Sequence, residues 1–371
     1  MPARAFLLCW AVLQLPLGHV LSAAAYDRNS TRALSPFLTN GKDCPPCESL
    51  FSKAKTTMDG KRIQNVEIQL RGEPKSGTTM MYAWAVGILA RTCEHLQATY
   101  GHASCRIDPD ITEALADSAT MTFEPGLAAQ DVTSCPCDSI DMVRLTIVTY
   151  RKHILPVNSD CRWNHPGGFT DDIFPCTTVG GRPVENYADI LGCMEEAACE
   201  ITDDKLQFAP LRDPRAVAVS TYFNRRRKSS FYTTYPDAPR TVEEGALKSL
   251  TSVAQWIALR HILFEGLMAN RSETFWYEDA TEDPLDWHFR WTALAGLRLP
   301  ISWVEGIASL RLIGPWMDMT TGVNPHPGGH KVSETRTWRD EVSPEIIGDM
   351  DAILRQWLPG VLLARLGISA Y

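Results

Sequence analysis

The sequence has no surplus of positive charge: 36 Lys and Arg stand against 44 Asp and Glu, a formal net charge of −8 over 371 residues. Nonspecific nucleic-acid binding needs clustered cation, so that class is excluded. There is no internal repeat and no low-complexity stretch. Beyond residue 25 no apolar run reaches the roughly 20 residues that a bilayer span takes. With 44% hydrophobic and 22% charged residues, a disordered or fibrous chain is excluded as well. The length allows two domains, or one large α/β domain with insertions.

Cysteine, by contrast, is plentiful, with eleven in the chain. Residues Ala5–Leu21 form an apolar run behind Arg4, ending in Ser22-Ala23-Ala24-Ala25 just before Tyr26. That is the layout of a secretory signal peptide over residues 1–25; an uncleaved signal anchor is the alternative, although Gln14, Pro16, Gly18 and His19 dilute the run. Either places residues 26–371 in an oxidising lumen, and the chain is expected in the Golgi lumen, possibly as a type II membrane protein, or secreted. Cys9 belongs to the leader. The other ten are Cys44, Cys47, Cys93, Cys105, Cys135, Cys137, Cys161, Cys176, Cys193 and Cys199. An even number in a lumenal chain reads as disulfides. Cys44-Pro-Pro-Cys47 lacks the preceding strand of a redox motif, and Cys135-Pro-Cys137 lacks a second ligand pair for zinc, so no metal is expected. Sequons at Asn29 and Asn270 fit the same compartment.

Residues 26–60 are polar and read as a lead-in, with the main domain over 61–371. There, short β-branched runs alternate with helical stretches. Strands are expected at Val66–Leu70, Leu145–Tyr150, Leu206–Ala209 and Glu273–Tyr277. Helices are expected over about Thr78–Tyr100, from about Pro214, over 243–270, and over 344–366 behind Ser343-Pro344-Glu345. Alternation of this kind predicts an α/β fold, a central parallel sheet with helices on both faces. Residues 157–204, with four cysteines and many Gly, Pro and acids, read as a disulfide-stapled insertion.

The first strand runs into Arg71-Gly72-Glu73-Pro74-Lys75-Ser76-Gly77-Thr78-Thr79 and then a helix. A Gly-containing turn at a helix N-terminus aims backbone N–H groups and the positive end of the dipole at one point. Lysine and hydroxyl side chains there complete an anion cradle. It is not the Gly-x-x-x-x-Gly-Lys-Ser/Thr loop of the P-loop NTPases, because the lysine precedes the last glycine by two. Taken alone, the loop could also be an ordinary strand–turn–helix with a solvated lysine.

Pro74-Lys75-Ser76-Gly77-Thr78-Thr79 resembles the 5′-phosphosulfate loop, PKSGTTW, of the sulfotransferases, which use 3′-phosphoadenosine 5′-phosphosulfate (PAPS) and have a three-layer P-loop-like fold. The resemblance is to the Golgi or secretory type, with Met80 where cytosolic members have an adenine-stacking Trp. A second stretch, Leu211-Arg212-Asp213-Pro214-Arg215-Ala216-Val217-Ala218-Val219-Ser220-Thr221-Tyr222, is similar to the family's 3′-phosphate motif RDPRDVAVSYY, which assigns that phosphate to Arg212 and Ser220. A guanidinium suits the task, gripping a terminal phosphate bidentately. Phe275-Trp276-Tyr277-Glu278-Asp279, with Glu282-Asp283-Pro284, is similar to the YEDxxxDP segment, whose Tyr, here Tyr277, lies near the adenine. Trp338-Arg339-Asp340-Glu341-Val342-Ser343 resembles the stretch before the last helix; the family's Arg-Lys-Gly is absent, with Lys331 or Arg336 as substitutes.

Sulfuryl transfer needs a base for the acceptor proton, a cation on the bridging oxygen and donors on the sulfuryl oxygens. The resemblance gives Lys75 the cation role. Tyr150-Arg151-Lys152-His153-Ile154-Leu155-Pro156 is similar to the family's VKTHLP segment, which makes His153 the base, and imidazole titrates near neutrality. Carbohydrate and tyrosine sulfotransferases often use a glutamate instead, and Glu94 is that rival, with His102 behind it. Arg225-Arg226-Arg227-Lys228 reads as a solvated helix end or as an attractor for an anionic acceptor, and His326-Pro327-Gly328-Gly329-His330 as a flexible loop. The resemblance therefore implies a PAPS-dependent sulfotransferase, with Lys75, Ser76, Gly77, Thr78, Thr79, Arg212, Ser220 and Tyr277 on the nucleotide. Its expected acceptor is a glycan hydroxyl, or else a protein tyrosine. A non-catalytic nucleotide- or glycan-binding protein of the same fold and a P-loop kinase are the other readings.

Overall fold

In the computed structural model, which describes residues 53, 55–58, 62–72, 75–99, 104–110, 118–124, 144–152, 156–158, 178–203, 205–226, 236–297, 299, 304 and 338–369, the described chain lies in one compact unit, 46–371. A short strand β1 (Lys55–Thr56) pairs antiparallel with the start of β2 (Arg62–Arg71). Successive residues of a strand point to opposite faces, and β2 uses both. Val66, Ile68 and Leu70 are buried on one face, Gln69 and Arg71 on the other.

Helix α1 (Thr78–Thr99) follows and covers the first face. It is tied to strand β3 (Ser104–Asp110) by the Cys93–Cys105 disulfide and by Gln97 Nε2, which donates to the Cys105 carbonyl at 2.9 Å. Strands β4 (Ser118–Glu124) and β5 (Arg144–Lys152) come next. The 157–204 insertion holds a small hairpin, β6 (Thr178–Val179) with β7 (Arg182–Pro183), and helix α2 (Tyr187–Glu196), opened by an Asn186–Asp189 capping box. Cys193 and Cys199 are both disulfide-bonded. The insertion closes on itself at its neck: Val157 bridges Ile201, Asn158 N–H donates to the Glu200 carbonyl at 3.0 Å, and Thr202 N–H donates to the Pro156 carbonyl at 2.9 Å.

The chain then makes β8 (Leu206–Leu211), α3 (Pro214–Arg226), α4 (Val242–Arg260) with a π-helical extension His261–Leu267, and β9 (Ser272–Trp276). Helices α5 (Tyr277–Glu282), α6 (Pro284–Leu294), α7 (Pro344–Trp357) and α8 (Gly360–Arg365) follow. The sheet order is β3-β4-β5-β2-β8-β9. Phe208 and Phe275 face the core with α1 and α6, whereas Ala209 and Trp276 face the core of α3, α4, α7 and α8. Helices thus cover both faces, and the architecture is the expected three-layer α/β.

Three details differ from the sequence reading. The sheet is parallel across β5-β2-β8-β9, but β4 runs antiparallel to both β5 and β3. Tyr277 begins α5 instead of ending the strand. The expected terminal helix over 344–366 is two helices, because Leu358 adopts an extended conformation before Pro359, as the pre-proline position favours. Among the described residues no helix is long and apolar enough to cross a membrane. The leader at 1–25, the rest of the lead-in up to residue 52, the sequon at Asn29, and the Cys44–Cys47 and Cys135–Cys137 pairs lie outside the described residues.

Candidate functional site

Four parallel strands carry their C-terminal ends to one edge of the sheet. Arg71 of β2 pairs with Lys152 of β5, Leu70 with Phe208 of β8, and Leu211 of β8 with Trp276 of β9. In open α/β sheets, ligands bind outside the carboxyl ends of the strands. Four of the five motifs singled out in the sequence follow these ends; the fifth, at Trp338, precedes α7.

The loop after β2 is built by sterics. A Cβ at Gly72 would sit 2.0 Å from Thr78 Cγ2 and 2.6 Å from Pro210 Cγ, so the backbone passes there only as glycine. Lys75 has φ 76° and Gly77 φ 89°, both in the left-handed region. For lysine that conformation is uncommon and carries a strain typical of functional turns. It reverses the chain into α1, whose first backbone hydrogen bond runs from Met81 N–H to the Gly77 carbonyl at 3.0 Å. Ser76 and Thr78 are buried and Lys75 is half-buried. The first turn of α1 has no acidic residue, so nothing there cancels the positive helix end. Thr79 lies in that turn, and Met80 packs against the core shared by α1 and α6.

Arg212 joins this loop to the other two motifs. Its Nη1 donates to the Lys75 carbonyl at 2.8 Å, and its Cζ lies 4.4 Å from the centroid of the Tyr277 ring. Its Nε is buried with no hydrogen-bond partner among the described residues. The Tyr277 ring also closes over Gly77, where an added Cβ would meet Tyr277 Cδ2 at 2.3 Å. Lys75, Ser76, Gly77, Thr78, Arg212 and Tyr277 are therefore one cluster. Ser220 sits half-buried in the second turn of α3, whose first turn also lacks an acid.

Behind Arg212, the turn into α3 is anchored twice. Asp213 N–H donates to Glu278 Oε1 at 3.1 Å. The Asp213 carboxylate pairs with the buried Arg215, which also holds Asp351 at 2.6 Å and the Leu366 carbonyl at 3.1 Å and lies over Trp338. Glu278 is a residue the sequence reading passed over, although it stands beside Tyr277 in the same motif. Burial is the main cause that holds its carboxyl above the ordinary carboxylate range, and its Oε2 has no partner among the described residues.

Glu94, the rival base, is exposed and paired with Arg91 at 2.5 Å. At about 1.5 Å rise per residue it lies ~24 Å along α1 from Thr78, which separates it from the cluster. His153 immediately follows Lys152 and lies outside the described residues, as do His102, Lys331, Arg336, Arg227, Lys228, His326 and His330. No group of three or more His, Cys, Asp or Glu suited to a metal occurs among the described residues.

No family model and no curated protein matches the chain. Among solved structures it is similar to a mouse sulfotransferase, SULT7A1, complexed with PAP. That likeness has 12% identity and a TM-score of 0.35, and covers 81% of this chain and 92% of the other. At that identity and score, the overall likeness says less about function than the two loops do.

Proposed function

We propose that this chain is a PAPS-dependent sulfotransferase acting in the lumen of the secretory pathway, with a carbohydrate hydroxyl as acceptor. The observation that carries the reading is the Arg212 guanidinium, which reaches the Lys75 carbonyl at 2.8 Å while stacked on Tyr277. Two loops with anion-binding chemistry, far apart in sequence, meet there at the edge of the sheet. The donor set fits a nucleotide with phosphate at both ends. The first-turn N–H groups of α1, the Ser76 and Thr78 hydroxyls and Lys75 suit a phosphosulfate, and a guanidinium with an unpartnered buried Nε suits a second phosphate.

In the reaction, the bond from sulfur to the phosphate oxygen breaks as the bond to the acceptor oxygen forms. Lys75 stabilises the negative charge gathering on the departing phosphate, the role a preorganised cation fills best in a partly buried site. His153 accepts the acceptor's proton. Arg212 and Ser220 hold the 3′-phosphate, and Tyr277 lies beside the base. The lumenal leader and the sequon at Asn270 support a secretory-pathway acceptor, among which glycan hydroxyls are the commonest class.

The test is titration of the chain with the desulfated product, 3′-phosphoadenosine 5′-phosphate, and with ATP and Mg²⁺. The bisphosphate is expected to bind; binding of ATP with Mg²⁺ but not of the bisphosphate sinks the reading. Labelled PAPS with a panel of glycans and tyrosine peptides then assigns the acceptor. His153→Ala is expected to abolish transfer while leaving bisphosphate affinity nearly unchanged.

A further inference from the structure

On the face of β2 opposite α1, where a strand residue would ordinarily be apolar, Gln69 and Arg71 are fully or almost fully buried, with Gln207 and Arg260 beside them. Their side chains and backbone are linked to one another. Arg71 Nη2 meets Asp203 Oδ2 at 2.6 Å, and Arg71 Nε donates to Gln207 Oε1 at 2.7 Å. Gln69 Nε2 donates to the same Asp203 oxygen at 2.6 Å. Gln207 Nε2 donates to the Lys205 carbonyl, and Arg260 Nη1 donates to the carbonyl of Arg71 itself. Arg71 is the last residue of β2, one before Gly72 and the start of the phosphate loop. Both its side chain and its peptide oxygen are therefore held.

The carboxylate in this set does not come from the sheet. Asp203 sits at the exit of the Cys-rich insertion, just past the neck where Val157 bridges Ile201 and Thr202 N–H donates to the Pro156 carbonyl. It follows the disulfide-bonded Cys199 by four residues. The other side of the neck, Pro156, follows the candidate base His153 by three. The neck thus joins the end of β5 to the start of β8 and, through Asp203, to the end of β2.

We propose that Asp203 is a positioning residue for the nucleotide site: by holding Arg71, it fixes the path on which β2 delivers Lys75–Thr78. The inference rests on the PAPS reading and extends it, because it makes the insertion part of the nucleotide machinery instead of a surface decoration. A buried guanidinium that loses a paired carboxylate is less well compensated, and the strand end that carries it shifts to recover the lost contact. Sites whose supporting shell loosens in this way lose ligand affinity first.

The experiment compares the full chain with its Asp203→Asn variant by calorimetric titration with 3′-phosphoadenosine 5′-phosphate, alongside steady-state transfer. The variant is expected to bind the bisphosphate about tenfold more weakly and to raise KM for PAPS in parallel, with kcat and acceptor KM within about twofold. A merely structural ion pair would lower the melting temperature and leave bisphosphate affinity within twofold, and that result overturns the proposal. If Asp203→Asn does not fold, Gln207→Leu removes another side-chain partner of Arg71, the acceptor for its Nε. It is then expected to weaken binding about threefold, and unchanged affinity overturns the proposal equally. Glu196→Ala, which removes an exposed contact to Gly180 N–H inside the insertion, is expected to change nothing. A wild-type chain that fails to bind the bisphosphate removes the PAPS reading and this inference together, whereas equal affinity in wild type and Asp203→Asn removes this inference alone.

Discussion

Arg212 and Tyr277 are stacked, guanidinium over ring, with 4.4 Å between Cζ and the ring centroid. The ring also closes over Gly77, so one aromatic side chain spaces the two loops. Cation–π contact of this kind is worth about 0.5–2 kcal/mol depending on exposure. It holds the guanidinium over the ring while the Nη1 bond to Lys75 sets its reach.

Arg212 is expected to matter out of proportion to its charge. Arg212→Ala removes a phosphate ligand and the brace on the Lys75 carbonyl together, a loss of about 2–3 kcal/mol or ~10²-fold in bisphosphate affinity. Arg212→Lys keeps the charge without the stacking plane or the fork, and is expected to recover only about tenfold of this. Titration with adenosine 5′-phosphate, which lacks the 3′ group, provides the contrast: wild type should prefer the bisphosphate and Arg212→Ala should not. Undiminished preference in the alanine variant would remove Arg212 from the 3′-phosphate.

Gly77 tests the packing of the loop against Tyr277. Gly77→Ala places a side chain at φ 89° and 2.3 Å from Tyr277 Cδ2, which should destabilise by about 1–3 kcal/mol. Two terms contribute and a double variant separates them. Gly77→Ala with Tyr277→Ala relieves the clash but not the backbone strain, so the pair should be non-additive by at least about 0.5 kcal/mol in denaturant unfolding. Strict additivity would mean that the two residues do not touch.

Acidification should weaken the fold through His288. The ring is buried between Trp84 and Trp287, with centroids 5.7 and 5.3 Å away, and burial pulls its pKa below the ordinary 6.5. The unfolded chain therefore takes up a proton near pH 6.5 that the folded one resists. The stability is fully present above that value and is lost as the pH falls below it, by up to ~1.4 kcal/mol per unit. Glu278 runs the other way: its raised carboxyl pKa stabilises below the ordinary 4.5, a contribution lost as the pH rises through the raised value. Thermal melts from pH 7.5 to 5.5 should decline for wild type and flatten for His288→Phe. An unchanged slope in that variant places the acid sensitivity elsewhere.

The turns after β2 and β8 were legible as structure because each is a short, mostly apolar run, a breaker and a helix, a pattern local enough to read residue by residue. Strands β2, β5, β8 and β9 were found for the same reason, within a few residues of their ends. Strand β3 was not, because Ser104–Asp110 reads Ser-Cys-Arg-Ile-Asp-Pro-Asp, with a proline and two acids that strands usually avoid. As an edge strand pinned by Cys93–Cys105 and paired only to β4, it tolerates them. Glu94 was a credible base in sequence because it follows the loop closely; sixteen helical positions carry it away in space. Gln69, Arg71, Asp203 and Gln207 had no local signature at all. Each reads as a polar residue in or near a strand, and only the register of β2 against β8 brings them together.

The hydrogen bond from Thr202 to Pro156 turns the insertion into a side branch of the chain. Viewed from the sheet, β5 passes to β8 through a handful of residues, and α2 of the insertion returns to the core through Ile190 and Met194. The entropy of closing a branch of ~45 residues is about 3 kcal/mol and grows only with the logarithm of its length. Outside the buried face of α2, residues can therefore be gained or lost beyond the neck at little thermodynamic cost while the strand order and the loops after β2 and β8 stay as they are. A scaffold arranged in this way can trade one set of surface contacts for another without rebuilding its chemistry.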